Sequence, residues 1–225
     1  MQILSIVGAR PQFIKAAVVS RALQTDTDVC ERIVHTGQHY DANMSSVFFE
    51  QLGIPEPMLN LNVCSGSHGE QTGRMLERLE QVINDCNPDH VLVYGDTNTT
   101  LAGALAAVKL GVSVVHVEAG LRSFDRTMPE EINRVVTDHV ASVLFAPTDT
   151  AVTNLQHEGI ADECVRLSGD VMYDAALFFA DRAAQESSVL QTQQLKSSEF
   201  ILATIHRAGN TDDPATLETI LRALA

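Results

Sequence analysis

Residues 116–134, HVEAGLRSFDRTMPEEINR, gather three glutamates, an aspartate, three arginines and a histidine. The apolar run VSVV just before them reads as a buried strand. Charge this dense at the carboxyl end of a strand is costly to bury unless it is paired or used. In open α/β sheets, ligands sit at that end of the strands. A single acidic loop is ordinarily solvated and holds only surface ion pairs. Here a second charged strand end, YGDTNTT at residues 94–100, lies just upstream, and two in succession point to a site. Glu118 ends a strand, whereas Glu130 and Glu131 open a helix behind Pro129. Successive helical residues point about 100° apart, so only one of that pair can face a given substrate atom. Carboxylates gathered in one crevice raise each other's pKa, which suits general acid–base work. Asp96 fits three roles: a base, a hydrogen-bond acceptor, or the cap of the helix that starts near Thr99.

Two further strand ends carry cations. Gly8-Ala9-Arg10-Pro11 joins the first strand to a helix N-terminus, which attracts anions, and Arg10 and Lys15 add positive charge there. By itself Arg10 reads equally as a surface cation. The turn is not GxGxxG, and GxxxxGK[ST] occurs nowhere, so ordinary dinucleotide or P-loop nucleotide binding is not expected. His206-Arg207 closes the run ILATI and could meet a phosphate or move a proton. It could equally be a basic loop with no partner. His116 and His139 fall on apolar elements and read as satisfied core histidines.

These residues must be carried by a regular frame. Short β-branched runs alternate with amphipathic stretches through most of the 225 residues. Strands are expected at ILSIVG, RIVHTGQ, HVLVYG, VSVVHVEAG, SVLFAPT and VRLSG, with a short one in MLNLNV. Helices are expected at FIKAAVVSRAL, at ANMSSVFFEQLG behind a capping Asp41, at GEQTGRMLERLEQVINDC and at the small-residue run LAGALAAVKLG. Others follow at PEEINRVVTDHVAS, DTAVTNLQHEG and DVMYDAALFFADRAAQES. Near-continuous apolar strands alternating with helices indicate a Rossmann-like, doubly wound α/β fold on a parallel sheet. The expected division is a domain over residues 1–185, a polar Gln/Ser-rich linker over 186–198, and a fresh strand–loop–helix unit over 199–225. One such unit cannot bury both its faces, so the second domain is expected to be truncated.

Composition narrows the function classes. Apolar residues make up 45%, with no Trp, so the core is aliphatic. The net charge of −14 argues against a nucleic-acid partner. The four cysteines form no CxxC and have no His at zinc-ligand spacing, so free, buried or half-buried thiols and no metal are expected. No apolar run is long enough to span a bilayer and no signal-peptide pattern opens the chain, which places the expected location in the cytoplasm.

The wording GARPQFIK, HTGQHYD, VYGDTNTTLAGALAA, HVEAGLRS…PEEINR and LATIHRAGNTDD resembles the non-hydrolysing UDP-N-acetylglucosamine 2-epimerases, in order, along essentially the whole chain. GDTxTT followed by HVEAGLR…PEExNR is its most specific part. The resemblance implies a glycosyltransferase-B-like architecture, two Rossmann-like domains with the site between them, about a third of which this chain lacks. It also implies interconversion of UDP-N-acetylglucosamine and UDP-N-acetylmannosamine without a cofactor, for cell-surface polysaccharide precursors. UDP leaves from carbon 1 as carbon 2 loses its proton, and it adds back to a 2-acetamidoglucal.

By the same resemblance Asp96, Glu118 and Glu130 match the acid/base carboxylates, and Arg10 and His206 lie near the diphosphate and the reacting sugar. Lys15, Arg122 and Arg134 have supporting, substrate-binding roles. Gln38 and His39 match a motif that holds a second, regulatory UDP-sugar in bacterial members. A homodimer is implied as well. Two departures stand out: the short SFDRTM segment, and Gly209 where many relatives carry an acidic residue. They leave room for a sister activity on a modified sugar such as a UDP-diacetamido-uronic acid. A glycosyltransferase of the same fold, or a fragment that only binds or dimerises, are the competing expectations. Residues 1–225 alone are expected to turn over poorly.

Overall fold

The computed structural model describes residues 1–39, 46–205 and 208–224. The chain forms two compact units, Met1–Ala180 and Asp181–Ala225. The expected Asp41 cap and the His206-Arg207 pair lie outside the described residues.

The first unit is built on strands β1 (Gln2–Val7), β2 (Cys30–His35), β3 (Leu59–Asn60), β4 (His90–Tyr94), β5 (Ser113–Val117), β6 (Val143–Ala146) and β7 (Val165–Leu167). They make one seven-stranded sheet in the order β3-β2-β1-β4-β5-β6-β7. Every pairing is parallel. The helices are α1 (Gln12–Leu23), α2 (Ser46–Leu52), α3 (His68–Cys86), α4 (Asn98–Lys109), α5 (Pro129–Val140), α6 (Asp149–His157) and α7 (Val171–Glu186). This is the doubly wound fold that the alternation of apolar runs predicts.

β1 shows why both faces are covered. Leu4 and Ile6 join a core layer with Met75, Leu79 and Ile83 of α3 and the alanines of α4. Ile3 and Val7 point the other way, against Phe13, Ala16 and Ala17 of α1. That alternation is the two-residue period of a strand buried on both sides. The small residues of α4 allow a close approach to the sheet: an added Cβ at Gly103 would lie 3.1 Å from both Ile6 and Val93.

Local signals set the helix ends. The Ser67 side chain accepts from the backbone N–H of Glu70 at the start of α3, and Asn87 closes that helix in the left-handed region. Thr97 and Thr100 form a capping box at the start of α4. The cap is therefore Thr97, which frees Asp96 from that role. The order of strands reverses beside β1, which has β2 on one side and β4 on the other. Such a reversal opens a crevice over the carboxyl ends of the strands.

In the second unit, α8 (Val189–Thr192), α9 (Ala208–Thr211) and α10 (Pro214–Leu224) are short helices. The polar segment read as a linker thus holds a turn of helix. The strand expected at ILATI, 201–205, does not form, and Ile201 and Leu202 are 86% and 84% exposed. A strand exists by its ladder, and the described residues of this unit contain no second strand to pair with it. Among the described residues no helix is long and apolar enough to cross a membrane. The cysteines are free, and Cys30 is exposed, outside the buried or half-buried setting expected of it.

Candidate active site

Three strand ends meet at the crevice. β4 ends at Tyr94, and the chain turns through Gly95 with φ +61° before Asp96. β5 ends at Val117, and Glu118 turns with φ +73°, a left-handed conformation uncommon outside glycine. Lys15, on the first turns of α1, reaches across to form an ion pair with the Glu118 carboxylate. Gly95 lies directly under that pair: a Cβ there would sit 2.9 Å from Lys15 Nζ and 3.1 Å from Glu118 Oε2. The missing side chain is thus what lets the ends of β4 and β5 and the side chain from α1 close on one another.

The Asp96 carboxylate is paired with Arg134 of α5. Arg134 Nη1 also lies 3.4 Å from Glu131 Oε2. Asn133 Nδ2 donates to the Asp96 carbonyl at 2.9 Å. Glu130 is exposed and stands one helical turn before Arg134, on the same face of α5. Asp96, Glu118 and Glu130 therefore come from adjoining elements around one rim. The close association of like charges expected from the sequence is replaced by an arrangement in which Asp96 and Glu118 each face a cation.

Glu131 points inward, 2% exposed. Its carboxylate accepts from the N–H and Oγ of Ser123 and the N–H of Phe124, each at 2.9 Å. Burial opposes its charge, but these bonds and Arg134 outweigh that and hold its pKa below the usual carboxylate range. Glu131 therefore pins the 118–128 loop, and Glu130 is left at the rim.

Behind the rim lies a second, buried charge network. Arg122 donates to both oxygens of Glu158, to Asp138 Oδ2 and to its neighbour's carbonyl, all at 2.7 Å. Its side chain is 1% exposed. Each nitrogen of the guanidinium is thus committed to an oxygen of the protein. Burial disfavours the charge of Asp138, yet bonds and charges from His116 and Arg122 keep its carboxyl ionised well below its ordinary pKa. The hydrogen bonds of Arg122 do the same for Glu158 against weaker desolvation. His116 is fully buried and satisfied, as expected. His139 is not a core residue: it is exposed, and its Nε2 lies 3.3 Å from Glu158.

At the end of β1, Gln12 does what the sequence reading left to a bound anion. Its Oε1 accepts from the backbone N–H of Gly8 and Ala9 at 2.9 and 3.1 Å. Its Nε2 donates to the Tyr94 carbonyl and to Thr100 Oγ1. The Arg10 N–H donates to His39 Nδ1 at 3.1 Å, while His39 N–H donates to the Gly8 carbonyl at 2.7 Å. Burial, then the Arg10 charge, lowers the pKa of His39, as an accepting ring requires. The Arg10 guanidinium itself is exposed at the crevice and makes no ion pair among the described residues. Gln38 Oε1 accepts from both the N–H and Oγ1 of Thr99, at 3.0 and 2.8 Å. Gln38 and His39 thus tie the ends of β1 and β2 to the start of α4. Gln12 and Asn133 were not singled out by sequence; the only hint was their place inside GARPQ and PEEINR.

Among the described residues no group of three His, Cys, Asp or Glu side chains is arranged to hold a metal ion.

Comparison with known proteins bears on this arrangement. A Pseudomonas aeruginosa protein named UDP-2,3-diacetamido-2,3-dideoxy-D-glucuronate 2-epimerase is 56% identical over all of this chain and 62% of its own length. A Methanococcus maripaludis UDP-N-acetylglucosamine 2-epimerase is 48% identical over 97% of this chain and 60% of its own. The chain thus spans about three-fifths of the length of these relatives. The crystal structure of the Methanocaldococcus jannaschii UDP-GlcNAc 2-epimerase, in complex with UDP-GlcNAc and UDP, superposes with a TM-score of 0.92. It is 48% identical, over 99% of this chain and 61% of that one. The family model described as UDP-N-acetylglucosamine 2-epimerase matches residues 21–225, and the chain belongs to that family.

Proposed function

We propose that the intact protein epimerises a UDP-2-acetamido sugar at carbon 2, interconverting UDP-N-acetylglucosamine and UDP-N-acetylmannosamine. The observation that carries this reading is that Asp96 and Glu118 follow the carboxyl ends of two adjacent parallel strands, β4 and β5, each paired with a cation. The reaction needs proton acceptors and donors on two sides of a sugar ring and positive charge for a departing diphosphate. In the forward direction a carboxylate removes the carbon 2 proton. The electron pair forms the carbon 1–carbon 2 double bond, and the carbon 1–oxygen bond breaks with its electrons going to UDP. The reverse addition reforms that bond, while an acid on the opposite face returns a proton to carbon 2. Asp96, Glu118 and Glu130 are the candidates for these transfers. Arg10, exposed at the β1 end, is the candidate for the diphosphate, with His206 as its expected companion. Lys15 and Arg134 position the two carboxylates. No oxidant or reductant enters the balance.

A second substrate has a specific observation behind it: the 56% identical relative is named for a 2,3-diacetamido uronate. The full-length protein should be offered both UDP sugars, with products followed by NMR. Formation of the manno epimer from UDP-N-acetylglucosamine supports the main reading. Turnover of the diacetamido uronate alone assigns the second. Transfer of the sugar to an added acceptor would instead make the protein a glycosyltransferase. The reading extends to a cytoplasmic homodimer, which light scattering of the full-length protein tests.

A further inference from the structure

We infer that His116 and Asp138 form a buried brace that holds the loops bearing Asp96 and Glu118 at a fixed separation, which makes both of them positioning residues for the proposed reaction. His116 lies on β5 and Asp138 on α5, and both side chains are fully buried. His116 Nε2 meets the Gly95 carbonyl at 2.7 Å, which anchors the loop after β4 just before Asp96. His116 Nδ1 meets Asp138 Oδ1, also at 2.7 Å. The other oxygen of Asp138 accepts from the Gly120 N–H at 3.0 Å, which anchors the loop after β5 two residues beyond Glu118. The chain of contacts therefore runs from one loop to the other through a single ring and a single carboxylate.

Each link fixes the next. Both ring nitrogens of His116 face oxygen acceptors, and only a ring with N–H at both positions satisfies the two together. Arg122 holds Asp138 from the far side. The brace touches neither the crevice nor the Asp96 and Glu118 carboxylates, and what it sets is the backbone from which they project. A displacement of about 1 Å in such groups can cost on the order of a hundredfold in rate.

The inference rests on the proposed epimerase reading for its kinetic consequence, and its structural part is testable without it. In the full-length protein, His116→Leu should speed amide exchange at 95–97 and 118–120 together. Exchange in α3, on the same sheet face but outside the brace, should be unchanged. Asp138→Asn can flip its amide and keep neutral bonds to the ring and to Gly120, so exchange should move much less. Carbon 2 epimerisation should fall by about tenfold to a hundredfold in kcat for His116→Leu, with KM within about twofold and partial recovery in Asp138→Asn. Nitrogen NMR of the wild-type ring should show both nitrogens protonated, a readout that does not depend on how any variant folds.

Exchange that changes in only one loop, or a ring nitrogen without a proton, overturns the brace. Unchanged kcat in a folded His116→Leu enzyme overturns its positioning role. Wild-type protein without turnover on either sugar rejects the epimerase reading instead, and exchange and ring protonation then still decide the brace.

Discussion

Two sets of ion pairs sit within a few residues of each other and are built differently. In the inner set each nitrogen of Arg122 meets an oxygen of Glu158, Asp138 or Leu121, and the Arg122 and Asp138 side chains are 1% and 0% exposed. In the rim set, Glu118 and Asp96 each meet a single cation, Lys15 and Arg134, and these acidic side chains stay 17% and 34% exposed. A saturated buried pair has nothing left for a substrate and costs several kcal/mol if one partner is removed. A singly paired carboxylate open to solvent keeps lone pairs for another partner. The difference between a structural and a chemical acid here lies in how many of its acceptor positions are already taken.

Substitution should divide the two sets cleanly. Glu118→Gln and Asp96→Asn in the full-length protein should each lower epimerisation by about 10²–10⁴-fold in kcat; Asp96→Asn should change folding stability little, whereas Glu118→Gln also leaves the buried Lys15 ammonium without its anion. Turnover within a few-fold of wild type would move the rim set to the structural side. Arg122→Leu should show the opposite pattern in chemical denaturation: a loss of about 3–5 kcal/mol, because Asp138 and Glu158 lose the guanidinium that binds them both. A loss below about 1 kcal/mol would mean the inner set is not holding the loop.

Acid sharpens the contrast. His35 stacks on Phe13 with ring centroids 5.2 Å apart, and its Nδ1 accepts from the Gly37 N–H. Burial, then the nearby His39, lowers its pKa from 6.5 to about 4. The unfolded chain therefore binds this proton first as pH falls. The stabilisation is complete above about pH 6.5 and is lost by about pH 4, a change of ~3 kcal/mol. The lowered carboxyls of Asp138, Glu131 and Glu158 add losses of the same sign further into acid. Urea unfolding of wild type and His35→Phe between pH 7 and pH 4 checks this, and equal slopes in the two proteins would refute it. The smallest effect should come from Gly95→Ala, about 1–3 kcal/mol for a side chain at φ +61° pressed on Lys15 and Glu118. Its activity should fall more than its stability, since the added methyl strikes the rim pair.

Much of this was legible because local and global signals agree. Strands β1, β4 and β5 are apolar runs that end in Gly8, Gly95 and Glu118, so chemistry at strand ends follows from the alternation alone. Other features were not legible. Which of Glu130 and Glu131 turns inward depends on Ser123 and Phe124 offering three donors to one of them. Arg122 and Arg134 look alike in the motif, but only the first is itself buried, between Asp138 of α5 and Glu158 just after α6. The strand expected at 201–205 failed because periodicity reports a segment's preference and says nothing of its partner. Gln12 was overlooked because an amide gives no charge signal, although it closes the β1 turn onto β4 and α4.

The central claim is that carboxylates at the ends of β4 and β5 move the proton at carbon 2. Full-length protein supplied with UDP-N-acetylglucosamine in heavy water tests it most directly, with carbon 2 followed by NMR. The account predicts one deuterium at carbon 2 of the manno product, with exchange and epimerisation lost together in Glu118→Gln and Asp96→Asn. A manno product that keeps its original proton, or undiminished exchange in both variants, would contradict it.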